Sequence, residues 1–178
     1  MPLTGLWLVN PRLHLKVWAM APSSTLAPFK IPRSVLVVIH TPDAQVLLIE
    51  RAGQPGFWQS VTGSLDFEDE SFAQAAQREV EEETGISAPL GALVDWQLSN
   101  TYEIYPAWRH RYAPGVVHNT EQVFSLCVPA TTPVRLSARE HQAWQWLDWR
   151  AAADACFSAS NAEAILWLPR FYTAPPAA

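Results

Sequence analysis

Three glutamates, Glu79, Glu82 and Glu83, lie within five consecutive positions of the segment REVEEETGI. If this segment is helical, positions i, i+3 and i+4 place the three carboxylates on one narrow stripe. Like charges at this spacing repel one another, and the repulsion grows when the groups are partly enclosed. A hard divalent cation with oxygen ligands removes this conflict. Because Mg²⁺ commonly bridges carboxylates to phosphate groups, the stripe predicts a metal site that acts on a phosphorylated substrate.

The element that carries the glutamates is predicted to be a helix from Ser71 to Thr84. Helix-forming residues dominate the segment, and Ala73, Ala76 and Val80 recur at helical spacing beside the acidic stripe. Gly85 follows at the position that typically ends a helix. The alternative is a helix with a solvated acidic face and no metal, because charge runs are usually exposed.

Segments of strand character lie on both sides of this helix. We expect strands over residues 33–40, 46–51, 58–62, 90–99, 100–105, 120–129 and 141–149, and further helices over residues 151–156 and 161–171. Strands around one central helix, with more helices at the end, indicate an α/β or α+β sandwich built on a mixed β-sheet.

The chain of 178 residues has the length of a single domain with its own core. We expect this domain over residues 29–172. Residues 1–28 are predicted to be an extension that is disordered or lies upstream of the true start at Met20. Residues 173–178, rich in Pro and Ala, are predicted to be a disordered tail.

The composition argues against several classes of partner. A net charge of −5 does not suit nucleic acid or anionic membranes, which are held by clustered Lys and Arg. No apolar run approaches the roughly 18 residues of a membrane span. Cys127 and Cys156 lack the close Cys or His neighbours of a zinc or redox site, and no signal peptide is evident. We therefore expect a monomeric protein of the reducing cytoplasm whose partner is a small molecule.

The glutamate helix also has a distinctive spacing relative to the residues around it. The positions concerned are Gly63, Glu70, Arg78, Glu79, Glu82, Glu83 and Gly85. This pattern resembles the signature of the Nudix hydrolases, which cleave nucleoside diphosphates linked to another moiety. The resemblance implies an α/β/α sandwich with a central mixed β-sheet, in which the signature forms a loop, a helix and a second loop.

The same resemblance assigns roles to the signature residues. It implies that Glu79 and Glu83 bind Mg²⁺, with Mn²⁺ as the alternative ion. Glu82 matches a metal-ligand or general-base position, and Glu79 is the second candidate for the base. Arg78 is expected to pair with a loop carboxylate, and the Gly63 carbonyl is expected to be a minor metal ligand.

The loop departs from the family pattern at one point. Six residues separate Gly63 from Glu70, whereas the family has five, so that Asp69 occupies the regular place. Either the loop carries an insertion and Glu70 keeps its structural role, or Asp69 takes that role as the partner of Arg78.

Three segments outside the signature extend the likeness from about Lys30 to Ile165. They are FWQSVTGS, RHRYAPGVVHNTE and EHQAWQWLD. They resemble a branch of the family that converts 7,8-dihydroneopterin triphosphate to the monophosphate and pyrophosphate in folate synthesis, and that also accepts dATP and other nucleoside triphosphates. This likeness implies that Glu140 is an additional metal ligand. It implies substrate contacts at Lys30, Arg51, Thr62, Tyr102, Glu103, Ile104, Tyr105 and Ser158.

Other side chains are interpreted by their types alone. The aromatic residues Trp58, Tyr102, Tyr105 and Trp108 are candidates to stack on a flat ring, although most aromatic residues fill a core or rim. The two arginines of RHRYAPG, Arg109 and Arg111, predict a loop near a phosphate chain. Three histidines are expected to be ordinary loop residues, because oxygen ligands suffice for the metal; they are His110, His118 and His141.

Two rival functions share most of these features. One is a general nucleotide-pool or dinucleoside polyphosphate hydrolase with the same metal site. The other is a catalytically silent domain that only binds nucleotides, and the presence of Glu79, Glu82 and Glu83 argues against it.

Overall fold

A computed structural model of the chain describes residues 29–130 and 132–172, so the predicted extension and tail lie outside the described residues. The strands are β1 (Arg33–His40), β2 (Gln45–Arg51), β3 (Trp58–Gln59), β4 (Val61–Ser64), β5 (Leu93–Glu103), β6 (His118–Cys127) and β7 (His141–Asp148). The helices are α1 (Phe72–Thr84), α2 (Trp149–Ala155) and α3 (Ala159–Phe171), with short 3-10 helices at Leu90–Ala92 and Pro106–Arg111. None of the helices in the described ranges has the length and apolar character needed to cross a membrane.

The strands form one mixed sheet of seven strands. Strand β6 runs parallel to β1; their paired residues extend from Arg33 opposite Thr120 to His40 opposite Cys127. The other strand pairs are antiparallel. On the other side of β1, β4 pairs with the residues Ser34–Val37. Strand β2 pairs with β1 only at the end of β1, where His40 lies opposite Val46. The chain therefore brings β4, which precedes α1, to the middle of the sheet.

Both faces of the sheet are covered by helices. Val35 and Val37 of β1 pack into a core with Val80 of α1. Leu36 and Val38 point the other way and pack into a second core with α2 and α3. Because β1 is buried on both faces, its sequence is a nearly continuous apolar run rather than an alternating one. The expected α/β/α sandwich with a central mixed β-sheet is confirmed.

Helix α1 begins and ends where its capping residues predict. The Ser71 hydroxyl accepts a hydrogen bond from Gln74 N at 3.2 Å, and the Gln74 side chain accepts one from Ser71 N at 3.0 Å. At the other end Gly85 takes a left-handed conformation with φ of 67°. Both limits of the helix are therefore set by local hydrogen bonds.

The single strand expected over residues 58–62 is instead two strands, β3 and β4. Ser60, between them, is fully buried, and its N–H donates to Asn161 Oδ1 at 2.7 Å rather than to a neighbouring strand. The chain consequently changes partner at Ser60, from β2 to β1.

The two strands expected over residues 90–105 are one strand, β5, preceded by a 3-10 helix. Its pairing with β6 is interrupted between Asp95 and Ser99. Gln97 there has φ of 53°, and its N–H donates to Asp95 Oδ1 at 2.8 Å. This local bulge lies inside the first of the two expected strands, and the boundary expected between residues 99 and 100 is wrong, because the pairing with β6 is regular there.

Candidate active site

The acidic stripe of α1 faces β4 and the start of β7. A cleft of about 420 Å³ lies at this contact. We call it the acidic cleft, and its acidic and histidine lining residues are Asp66, Glu79, Glu82, Glu83, Glu140 and His141. The structure thus brings the predicted helix glutamates together with Glu140, which belongs to a distant part of the chain.

Gly63 of β4 allows Glu79 to lie against the strand. A Cβ atom at Gly63 would lie 1.8 Å from the Glu79 carboxyl carbon, far inside van der Waals contact. The missing side chain therefore creates the space that the Glu79 carboxylate occupies. The expected role of the Gly63 carbonyl as a minor metal ligand stays a prediction.

Glu79 is a buried carboxylate with an unusual proton affinity. Burial raises its pKa to about 7, and the neighbouring charges of Glu83 and Glu82 act in the same direction. Arg78 opposes this shift, since its Nη1 donates to Glu79 Oε1 at 2.7 Å. A carboxylate that one guanidinium does not fully compensate is suited to a further positive charge.

Glu83 is held at both oxygens. It is 4% exposed, and it accepts hydrogen bonds from Thr62 N at 3.2 Å and from His141 Nε2 at 2.9 Å. Burial raises the pKa of Glu83, the two hydrogen bonds oppose that effect, and the charge of Glu140 adds to it. The carboxylate is therefore fixed in position but short of positive charge.

These residues fit a hard divalent cation. One potential ligand atom from each of Glu83, Glu140 and His141 lies within 4.8 Å of the other two. Most of the potential metal-ligand atoms in the acidic cleft are carboxylate oxygens, which Mg²⁺ and Mn²⁺ prefer as ligands. Burial raises the pKa values of both Glu79 and Glu83, and the charges of neighbouring carboxylates add to this effect, while Arg78 compensates Glu79 and His141 compensates Glu83 only in part.

The expectation that His141 is an ordinary loop histidine is wrong. His141 is the first residue of β7, is 3% exposed, and positions Glu83 through its Nε2. Its Nδ1 has no hydrogen-bond partner among the residues that the structure describes. The sequence signal was its position at the start of an alternating strand, directly after Glu140. His110 and His118 are exposed.

Arg78 connects α1 to the loop that follows β4. Its Nε and Nη2 donate to the two oxygens of Glu70 at 2.9 and 3.2 Å, and Nη2 also donates to the Ser64 carbonyl. Although burial opposes the shift, these contacts hold the pKa of Glu70 below its ordinary value. Glu70, and not Asp69, therefore pairs with Arg78, and Asp66 Oδ2 of the same loop lies 3.4 Å from Arg78 Nε. Glu70 thus keeps the structural role despite the extra residue in the loop.

We expect Arg78→Ala to lower the free energy of unfolding by about 1.5–3 kcal/mol, because it leaves the buried Glu70 carboxylate without its charged donor. Urea unfolding measures the change. The matched control is Arg139→Ala at an exposed arginine. Equal unfolding free energies for the two variants would contradict the structural role of the Arg78–Glu70 pair.

A second cleft, of about 400 Å³, adjoins the acidic cleft. We call it the aromatic cleft, and its aromatic lining residues are Phe57, Tyr102, Tyr105, Trp108, Tyr112 and Phe157. Phe57 and Phe157 stack with their ring centroids 4.0 Å apart. These two were missed by sequence reasoning, because they come from distant loops, whereas the candidate Trp58 packs into the core beside α2 and α3.

The predicted substrate residues are distributed over the two clefts. Lys30, Arg51 and Thr62 line both clefts. The aromatic cleft is also lined by Tyr102, Glu103, Tyr105 and Ser158. Ile104 has a buried side chain outside both sets of lining residues, and its carbonyl accepts a hydrogen bond from Arg109 Nε at 3.0 Å.

Positive charge is concentrated where the clefts meet. Lys30, Arg51 and Arg111 line both of them, and burial together with Arg111 lowers the pKa of Lys30. Of the two arginines expected beside a phosphate chain, Arg111 lies at this junction, whereas Arg109 pairs with Glu103. The junction thus suits the negative charge of a phosphate chain.

Comparison with known proteins agrees with this geometry. A NUDIX domain model matches residues 30–168. The chain is 46% identical over 140 residues to dihydroneopterin triphosphate diphosphatase of Escherichia coli (strain K12), which covers 77% of this chain and 91% of that protein. The Haemophilus influenzae protein of the same name is 39% identical over 140 residues, and this match covers 77% of this chain and 87% of that protein. The solved E. coli dihydroneopterin triphosphate pyrophosphohydrolase superposes with a TM-score of 0.73 at 44% identity, covering 81% of this chain and 99% of that one.

Proposed function

This chain belongs to the Nudix family, and from that premise we propose that it hydrolyses 7,8-dihydroneopterin triphosphate to the monophosphate and pyrophosphate with a divalent cation. The observation that carries the proposal is that two clefts of different chemistry adjoin. The acidic cleft suits a phosphate chain with its cation, and the aromatic cleft suits a flat ring. Activity on dATP and other nucleoside triphosphates belongs to the same proposal, because a purine is flat like a pterin.

We assign the cation, Mg²⁺ with Mn²⁺ as the alternative, to Glu79, Glu83 and Glu140. When bound, such a cation neutralises phosphate charge and lowers the pKa of water. Arg78 holds Glu79 in place, and His141 holds Glu83. The protein therefore presents preorganised carboxylates, which need little rearrangement before the reaction.

Proton transfer from the attacking water needs a base, and Glu82 is the first candidate. Its carboxylate lines the acidic cleft, is more than half exposed, and lies 3.3 Å from Arg78 Nη1. Glu79 is the second candidate, because burial raises its pKa to about 7. Lys30 and Arg51 are assigned to the phosphate chain, whose charge they offset.

The test compares kcat/KM for dihydroneopterin triphosphate, dATP and a dinucleoside polyphosphate in the presence of Mg²⁺. We expect the highest value for dihydroneopterin triphosphate, because the aromatic cleft fits its ring and one phosphate chain extends from it. A clear preference for the dinucleoside polyphosphate would instead favour the general hydrolase. Nucleotide binding without pyrophosphate release, with either Mg²⁺ or Mn²⁺, would favour the silent domain.

A further inference from the structure

Two residues that line the aromatic cleft each carry a buried oxygen atom without a hydrogen-bond partner in the described part of the chain. They are Oε1 of Glu121 and Oδ1 of Asn119, and neither has a hydrogen-bond partner within residues 29–130 and 132–172. The two residues are 3% and 2% exposed, and both line the cleft. Native proteins rarely leave buried acceptors unpaired without a functional reason, since such groups destabilise the fold.

Asn119 uses its amide nitrogen within the fold and leaves its oxygen available. Its Nδ2 donates to Ser34 Oγ at 2.7 Å and to Tyr102 Oη at 3.1 Å. Both amide protons are therefore used, and the oxygen is the remaining polar atom. Because side chains alternate along a strand, Glu121 projects from the same face of β6, two residues further on.

Glu121 can act as an acceptor at both oxygens when it is ionised. Burial raises its pKa to about 7, and the Ser160 hydroxyl opposes this shift. The ionised and neutral forms of Glu121 thus have similar free energies near neutral pH. A ligand that supplies N–H donors favours the ionised form, which only accepts hydrogen bonds.

The edges of possible rings differ in the donors they present. An aminopyrimidinone ring, as in pterin or guanine, has a ring N–H beside an amino group, and a carboxylate accepts both bonds in parallel, as it does from arginine. Adenine has one amino donor beside a ring nitrogen that accepts. That acceptor would face an oxygen of the ionised carboxylate without a proton between them, so adenine pairs with the neutral form of Glu121 only.

We infer that Glu121 binds the aminopyrimidinone edge of the substrate ring, and that Asn119 accepts a further hydrogen bond from the same ring. The inference rests on the proposed function, because the phosphates must lie in the acidic cleft for the ring to reach these residues. Phe57 and Phe157 offer a flat apolar surface in the same cleft. Glu121 in its ionised form thus selects pterin and guanine over adenine.

The test is Glu121→Gln, assayed for kcat/KM with dihydroneopterin triphosphate, dGTP and dATP. Glutamine presents one acceptor and one donor, which complement adenine and mismatch the donor pair of pterin and guanine. We expect kcat/KM for dihydroneopterin triphosphate and dGTP to fall by about tenfold to a hundredfold relative to dATP. Asn119→Ala, which removes the second acceptor, is also expected to lower the ratio of kcat/KM for dihydroneopterin triphosphate or dGTP to kcat/KM for dATP.

The matched control is Glu163→Gln, which changes an exposed glutamate of α3 and should leave the ratio unchanged. If wild-type protein cleaves dihydroneopterin triphosphate but neither variant alters the ratio, the inference is overturned and the proposed function stands. An equal loss on all three substrates also overturns it, because a ring-selective contact cannot act on all rings alike. If wild-type protein cleaves none of the substrates, the proposed function itself fails.

Discussion

Glu83→Gln is expected to lower Mg²⁺-dependent kcat/KM by about a thousandfold, because it removes the most enclosed negative charge of the acidic cleft. The change is nearly isosteric. The Gln carbonyl can accept from Thr62 N, and its amide can donate to His141 Nε2 once His141 carries its proton on Nδ1. Shape and hydrogen bonding are thus retained, and the loss reports the missing charge.

The same variant is expected to fold at least as well as the wild type. Burial raises the pKa of Glu83, so the folded state favours the neutral form. Above the ordinary pKa of a glutamate, the ionised group therefore destabilises the fold, and glutamine relieves this cost as pH rises. Thermal unfolding at pH 8 without added metal should show an equal or higher Tm for the variant.

A matched control and a binding measurement complete this experiment. Glu81→Gln changes an exposed glutamate of the same helix and should leave kcat/KM unchanged. Added Mg²⁺ should raise the Tm of the wild type, since a ligand that binds the folded state stabilises it, and should raise that of Glu83→Gln much less. Near-normal Mg²⁺-dependent hydrolysis by Glu83→Gln would contradict the assignment of the metal site.

Local features of the fold could be predicted from the sequence, and long-range ones could not. Helix α1 was predicted with both limits, because Ser71 and Gly85 set them through hydrogen bonds to nearby residues. The break at Ser60 depends on Asn161, a side chain from the far end of the chain. The parallel pairing of β1 with β6 likewise joins distant segments, and no local pattern encodes it.

The candidate site shows the same division. The glutamates of α1 lie on one helix, so their spacing alone predicted that they would share a stripe. His141 was misassigned because its partner, Glu83, belongs to another element. The unpaired oxygens of Asn119 and Glu121 were not recognised at all, since an unpaired atom can be identified only when its surroundings are known. Polar groups buried by tertiary packing are thus the part that sequence reasoning misses.

Gly63→Ala is expected to reduce kcat/KM by about a hundredfold or more while changing stability little. The added methyl group would lie 1.8 Å from the Glu79 carboxyl carbon and 1.9 Å from Glu79 Oε1. The methyl group and the carboxylate therefore cannot both occupy these positions. Glu79 is the end of a flexible side chain, whereas Gly63 is held in β4 by its pairing with Val35. The carboxylate is therefore the group that moves, and it leaves the position where it lies against β4 and beside Glu83.

The control for this variant is Gly91→Ala, because a Cβ atom at Gly91 meets no atom within 4 Å. Both substitutions restrict the unfolded chain in the same way, so a difference between them reports the contact with Glu79. We expect Gly91→Ala to retain full activity, and urea unfolding to give similar free energies for both variants. Full activity in Gly63→Ala would show that the place of Glu79 beside β4 is not needed for hydrolysis. A large loss of stability in that variant would show instead that β4, and not the carboxylate, yields to the added methyl group.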